Sequence, residues 1–73
     1  MALEKVEIPM AGKIVAIQAK VGAKVKEGTS VCTLESMKME NPILAPVSGT
    51  VKEVKVQVGQ AVKTGDLVCT IEY

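Results

Sequence analysis

The sequence is written twice. Shifting it by 37 positions lays residues 9–36 (PMAGKIVAIQAKVGAKVKEGTSVCTLES) over residues 46–73 (PVSGTVKEVKVQVGQAVKTGDLVCTIEY), and 11 of the 28 positions coincide. The coincidences fall on residues that constrain a backbone: Pro9 with Pro46, Gly12 with Gly49, Gly22 with Gly59, Gly28 with Gly65, and Val-Cys-Thr at 31–33 with 68–70. Val21, Val25, Lys26 and Glu35 match Val58, Val62, Lys63 and Glu72 as well. Glycine recurs where a chain must turn with positive φ, so two copies of one turn pattern imply two copies of one fold unit. A unit this short buries too little apolar surface to stand alone. The copies are therefore expected to pack face to face about an approximate two-fold axis, and residues 1–73 to form a single domain.

Within each copy the hydrophobic period is two. Ile17, Ala19 and Val21 alternate with Gln18 and Lys20, and Val54, Val56 and Val58 with Lys55 and Gln57. Such alternation marks half-buried strands. The phase slips by one between Ile14 and Ile17 and again between Val51 and Val54, which predicts a β-bulge at the same place in each half. Strands are expected at 4–8, 13–20, 24–26, 30–36, 39–45, 50–57, 61–63 and 67–72, separated by PMAG, VGA, KEGT, the Met37-Lys38 step, PVSG, VGQ and KTGD. Valine, isoleucine and threonine fill 22 of 73 positions, in keeping with an all-β chain. Eight short strands joined by tight turns make an antiparallel sandwich or flattened barrel. Pro42 lies inside one of them and has no N–H to give a ladder, so that strand is expected at an edge or at a bulge.

Composition excludes several functions. The chain has no histidine and no arginine, and its nine lysines against eight acids leave a formal charge of +1. A single tyrosine is its only aromatic residue. There is neither a basic excess for phosphates nor an aromatic surface for bases, so no nucleic-acid partner is expected. Two cysteines without histidine make neither a disulfide framework nor a zinc site. Cys32 and Cys69 share the phase of Leu34 and Ile71 and are expected to face the core as small apolar groups. No apolar run reaches the length of a signal peptide or a membrane span, so the expectation is a cytoplasmic chain with no direct membrane insertion.

One segment, Glu35-Ser36-Met37-Lys38-Met39-Glu40-Asn41, has no counterpart in the repeat. The flanking strands are close enough to pair only through a tight hairpin, which puts Lys38 at its tip. Primed hairpin turns need positive φ and favour Asn-Gly or Asp-Gly, so Met-Lys there is mildly strained. Strain kept at a loop tip points to function. Read by itself, an MKM tripeptide is more often an ordinary surface lysine between two methionines that cap the core.

In its context, ESMKMEN at a central hairpin between two similar halves resembles the biotinyl carrier domain of the biotin carboxyl carrier family. The resemblance runs over nearly the whole chain: IPMAG with Pro9 and Gly12, VGAKVKEG, ESMKMEN, PVSG from Pro46 to Gly49, and VGQAVKTGDL. It implies a flattened eight-stranded antiparallel barrel-sandwich with an internal pseudo-two-fold, and covalent attachment of biotin to Lys38 through an amide. By the same resemblance Met37 and Met39, with Glu35 and Ser36, are recognition flanks. Ser36 stands where the family usually has alanine. No insertion interrupts IPMAGKIVAIQAKVGAKV, so the chain resembles the thumbless members.

A lysine amine is a cation at neutral pH, so the biotin carboxyl must be activated before the amine accepts it. The resemblance implies a biotin protein ligase acting through biotinyl-adenylate. It implies as further partners a biotin carboxylase and a carboxyltransferase or decarboxylase, between which the swinging biotinyl-lysine carries CO2. The domain supplies no catalytic residue and no metal ligand of its own, and is expected to be a monomer that is not an enzyme. Lysine stem and biotin tail together reach about 14 Å, enough to enter a buried active site from outside. The alternatives are a lipoyl carrier domain of a 2-oxoacid dehydrogenase-type complex, whose attachment lysine typically follows an acidic residue where this chain has Met37, and an unmodified structural barrel-sandwich domain.

Overall fold

The structure, a computed structural model, describes residues 2–73. Its strands are β1 (Leu3–Glu7), β2 (Gly12–Ile17), β3 (Lys24–Val25), β4 (Ser30–Ser36), β5 (Met39–Leu44), β6 (Gly49–Val54), β7 (Ala61–Val62) and β8 (Leu67–Glu72). They form two four-stranded antiparallel sheets, in the orders β1-β8-β6-β3 and β5-β4-β2-β7. The fold is all-β and a sandwich rather than a closed barrel: β1 and β5 are free edges with a shallow open groove of about 280 Å³ between them. β5, which carries Pro42, is an edge strand as its missing donor requires.

The halves do not pack as separate units. Each sheet takes two strands from each half, and a shift of 37 positions, forward for β1 and β3 and back for β8 and β6, converts the first sheet order, strand by strand, into the second. The two-fold therefore exchanges sheets, and each half is completed only by strands of the other. This assigns β1 as the mate of β5, so most of Glu35–Asn41 does have a counterpart. Residues 2–8 and 39–45 share no identities, yet Val6 and Ile8 are buried as their mates Ile43 and Ala45 are. Of the Met37-Lys38 step, Met37 has no counterpart in the given sequence, and that of Lys38 is Met1, which lies outside the described residues. The symmetry equivalent of the turn is the gap between the chain ends, where Ala2 and Tyr73 exchange two 2.9 Å backbone hydrogen bonds as Ser36 and Met39 pair beside the turn. Chain ends and hairpin tip project in opposite directions along a molecule measuring 37 × 18 × 16 Å.

Both bulges lie where the phase slips. The β2–β4 register skips Val15, between Ile14 opposite Leu34 and Ala16 opposite Thr33. The β6–β8 register skips Lys52, between Val51 opposite Ile71 and Glu53 opposite Thr70. Past each bulge the ladder ends sooner than the alternation suggests, at Ile17 and Val54. Ala19 and Val56 still point into the core, but Val21 and Val58 do not: at 65% and 64% exposure they begin turns closed by hydrogen bonds from Ala23 to Lys20 and from Gln60 to Gln57. The glycines that follow them, Gly22 and Gly59, have φ of 89° and 91°.

Sixteen buried apolar residues make one core spanning both sheets. Cys32 and Cys69 are inside it, unbridged and almost wholly buried. Burial raises both thiol pKa values, Cys32 to about 11 with a further contribution from the neighbouring Cys69. Gly12 and Gly49 are needed for close approach. A Cβ on Gly12 would collide with the Glu35 carbonyl oxygen and lie 2.8 Å from Leu34 Cδ1, while one on Gly49 would collide with the Glu72 carbonyl oxygen and lie 2.8 Å from Ile71 Cγ2.

Candidate functional site

The β4–β5 hairpin carries the only non-glycine residues of positive φ among those described, Met37 at 53° and Lys38 at 67°. Two successive left-handed residues are the geometry of a type I′ turn, whose twist matches the strands it joins. Neither residue favours that region, since a Cβ there crowds the following carbonyl by about 1–2 kcal/mol per residue. The register compels it: Ser36 faces Met39, Glu35 faces Glu40 and Leu34 faces Asn41, so two residues must reverse the chain. Leu34, fully buried, anchors β4 on one side, and Ile43 anchors β5 on the other.

Lys38 is exposed at this tip, and among the described residues no ion pair or side-chain hydrogen bond engages it. Its amine is free to be presented to another molecule. Met37 is 92% exposed and Met39 65%, so neither methionine caps the core. Ser36 is half-buried; Glu35 and Glu40 are exposed and directly opposed across the two strands. Like charges in that position repel. At the two-fold mate of Glu35 the arrangement differs: Glu72 faces Leu3 and receives the Lys52 amine at 3.0 Å, whereas the place corresponding to Lys52 is held by Val15. The hairpin end thus sets two carboxylates side by side, with Lys13 across from Glu35 on the β2 side and no ion pair between the described residues there. The opposition of the glutamates follows from the two-residue turn, and the missing ion pair from Val15 standing where the other half has Lys52.

Outside the hairpin the surface offers little chemistry. The groove between β1 and β5 is lined by Glu4, Lys5, Glu7, Pro9, Pro42 and Pro46 among others, near the two-fold and away from the tip. Among the described residues no group of three acids or cysteines is placed to hold a metal, and no buried side-chain polar atom lacks a partner. An accessible, unpaired primary amine on a rigid strand pair suits an acylated lysine; it provides no acid, base or nucleophile aimed into a cleft.

A sandwich of eight strands in two interleaved halves, with one lysine raised on a strained central hairpin, is the build of a covalent-attachment domain. The family model described as "Biotin-requiring enzyme" matches residues 4–71, and the chain belongs to that biotin/lipoyl attachment family. Residues of this chain are 51% identical over 37 positions to the propionyl-CoA carboxylase alpha chain of Ruegeria pomeroyi, a match covering 51% of this chain and 5% of that protein. They are 46% identical over 42 positions to the methylmalonyl-CoA decarboxylase subunit gamma of Veillonella parvula, covering 58% of this chain and 33% of the relative. The fold superposes on the crystal structure of the Kluyveromyces lactis urea carboxylase with a TM-score of 0.91 and 32% identity, covering 99% of this chain and 6% of that one. The chain therefore matches a small part of much longer carboxylases.

Proposed function

We propose that residues 1–73 are one biotin carboxyl carrier domain and that Lys38 is its biotin-attachment site, with Met37, Met39, Glu35 and Ser36 as the residues a biotin protein ligase reads. The observation that carries this reading is an unpaired, exposed lysine held between two exposed methionines at a left-handed turn, in a chain of the biotin/lipoyl family. The carboxylase and decarboxylase names of its relatives support biotin over lipoyl.

The chemistry asked of the chain is brief. Deprotonated Lys38 Nζ attacks the acyl carbon of an adenylate; the N–C bond forms, AMP departs, and the proton passes to the ligase or solvent. The anchored strands hold the tip so that the amine, not the barrel, enters the ligase. Once attached, biotin supplies a ureido nitrogen able to accept and release CO2. The domain then contributes reach and position: an arm of about 14 Å lets the tip visit a biotin carboxylase and a carboxyltransferase or decarboxylase in turn. Tethering within one assembly makes a weak docking contact sufficient.

Intact-mass measurement after incubation with a biotin protein ligase, biotin and ATP tests the reading, with a lipoate ligase run in parallel. One biotin increment on the peptide containing Lys38 is expected. A lipoyl increment, or an unmodified chain under both ligases, refutes it.

A further inference from the structure

The chain has four methionines. Of the three in the described residues, Met37 and Met39 flank the tip, and the third, Met10, is 41% exposed in the link between β1 and β2. That link delivers the chain to Gly12, and Lys13 faces Glu35, so Gly12 stands one strand spacing, about 5 Å, from Ser36. Met10 is two residues further, at most about 7 Å of chain. Its Cα is therefore within about 12 Å of the hairpin. All three methionines sit at one end of the molecule.

The internal two-fold provides a control for whether the fold itself demands this. The mate of Met10 is Val47, which is half-buried and packed against the core; the mate of Met39 is Ala2; Met37 has none. The same backbone position thus packs against the core as valine at the end with the termini, and is 41% exposed as methionine at the lysine end. A partly exposed, unbranched thioether is suited to contact with another protein.

Which protein follows from reach. An extended lysine places Nζ only about 6 Å from its Cα. The enzyme that acylates Lys38 must therefore press against the hairpin itself, and a standard footprint of about 800 Å² has a radius near 16 Å, which takes in Met10. An enzyme served through the arm of about 14 Å need not come so close. Resting on the reading of Lys38 as the biotin acceptor, we infer that Met10 completes, with Met37 and Met39, a methionine surface on which the biotin protein ligase docks.

The test is steady-state biotin transfer to the whole chain by a biotin protein ligase, comparing Met10→Gln, Met10→Leu and, at the opposite end, Val21→Gln. Met10→Gln removes the apolar contact without adding charge and should raise KM for the domain about ten-fold at unchanged kcat, with no loss of melting temperature. Met10→Leu and Val21→Gln should stay within about two-fold of the parent. The inference is overturned by parental kinetics in Met10→Gln, by a loss in kcat instead of KM, by a KM rise that tracks lowered thermal stability, or by an equal effect of Val21→Gln. An unmodified parent chain would instead refute Lys38 as acceptor, so the two failures are distinct.

Discussion

Ala2 and Tyr73 at one end of the molecule, and Ser36 and Met39 at the other, occupy equivalent places, but only the second pair is joined, through Met37 and Lys38. At the joined end Glu35 faces Glu40; at the open end Glu72 faces Leu3 and is held by Lys52. The backbone of the two ends is one design, and what differs is a two-residue tip, the residues set against the glutamate of each end and the exposed methionines. The scaffold repeats, and the proposed attachment site sits in what one copy alone carries.

The sharpest way to break that comparison is to change the tip without changing the scaffold. Lys38→Arg retains the charge and the turn, but a guanidinium that stays protonated is a poor nucleophile toward an acyl-adenylate. Biotin uptake should vanish while the urea midpoint stays within about 0.5 kcal/mol of the parent, since the side chain is exposed and unpaired. Moving the amine one place, with Met37→Lys and Lys38→Met together, should also fail or nearly so, because it turns the amine toward the other side of the hairpin. Label recovered elsewhere by peptide mapping would show that another of the nine lysines is the acceptor.

A second experiment asks whether the ends are equally rigid. Gly12→Ala pushes a methyl into the Glu35 carbonyl beneath the hairpin, and Gly49→Ala pushes one into the Glu72 carbonyl beneath the termini. The obstruction is backbone in both, so relief requires a strand to shift, at a cost of about 3 kcal/mol each. Equal losses in urea titrations would establish the equivalence energetically. A much smaller loss for Gly49→Ala would mean that the open end yields where the joined end cannot.

How much of this was legible in the sequence depends on what each residue is asked to do. Where a position dictates φ or close approach, as at Gly12 and Gly49, identity survives in both copies and the repeat is visible. The phase slips at Val15 and Lys52 revealed both bulges, and Pro42 revealed an edge. The pairing of β1 with β5 as mates was hidden, because an edge strand needs only an apolar residue at each inward place, and Val6 or Ile43 serves equally well. Hidden with it was the interleaving of the halves. Val21 and Val58 misled for a related reason: alternation continued past the last ladder bond into turns where no sheet remained to bury them.

Between the ends lie Cys32 and Cys69, symmetry mates whose response to alkali should be shared by both halves. An unfolded thiol titrates near pH 9, and burial lifts Cys32 to about 11 and Cys69 in the same direction. Below about pH 9 both states are protonated and the full stability is present. Between about 9 and 11 the unfolded chain loses protons that the folded chain retains, so stability falls as pH rises, by on the order of 2 kcal/mol from Cys32. Denaturant titrations across that window should show the decline, and Cys32→Val with Cys69→Val should flatten it. A slope that survives in the double variant would place the alkaline loss outside the two thiols.

The smallest effect concerns the strain at the tip. Met37 is held at φ 53° with 92% of its surface in solvent, so its side chain has almost no packing to lose. Asparagine tolerates the left-handed region better than methionine does, because its short polar side chain bonds locally. Met37→Asn should therefore raise stability, by about 0.5 to 1 kcal/mol in urea, while slowing biotin transfer. An increase in stability at the expense of uptake would show that the ordinary turn residues are absent from this hairpin because the tip is read by another protein. Unchanged or lowered stability would show that the turn carries no strain for methionine, and the contrast between the two ends would then rest on their side chains alone.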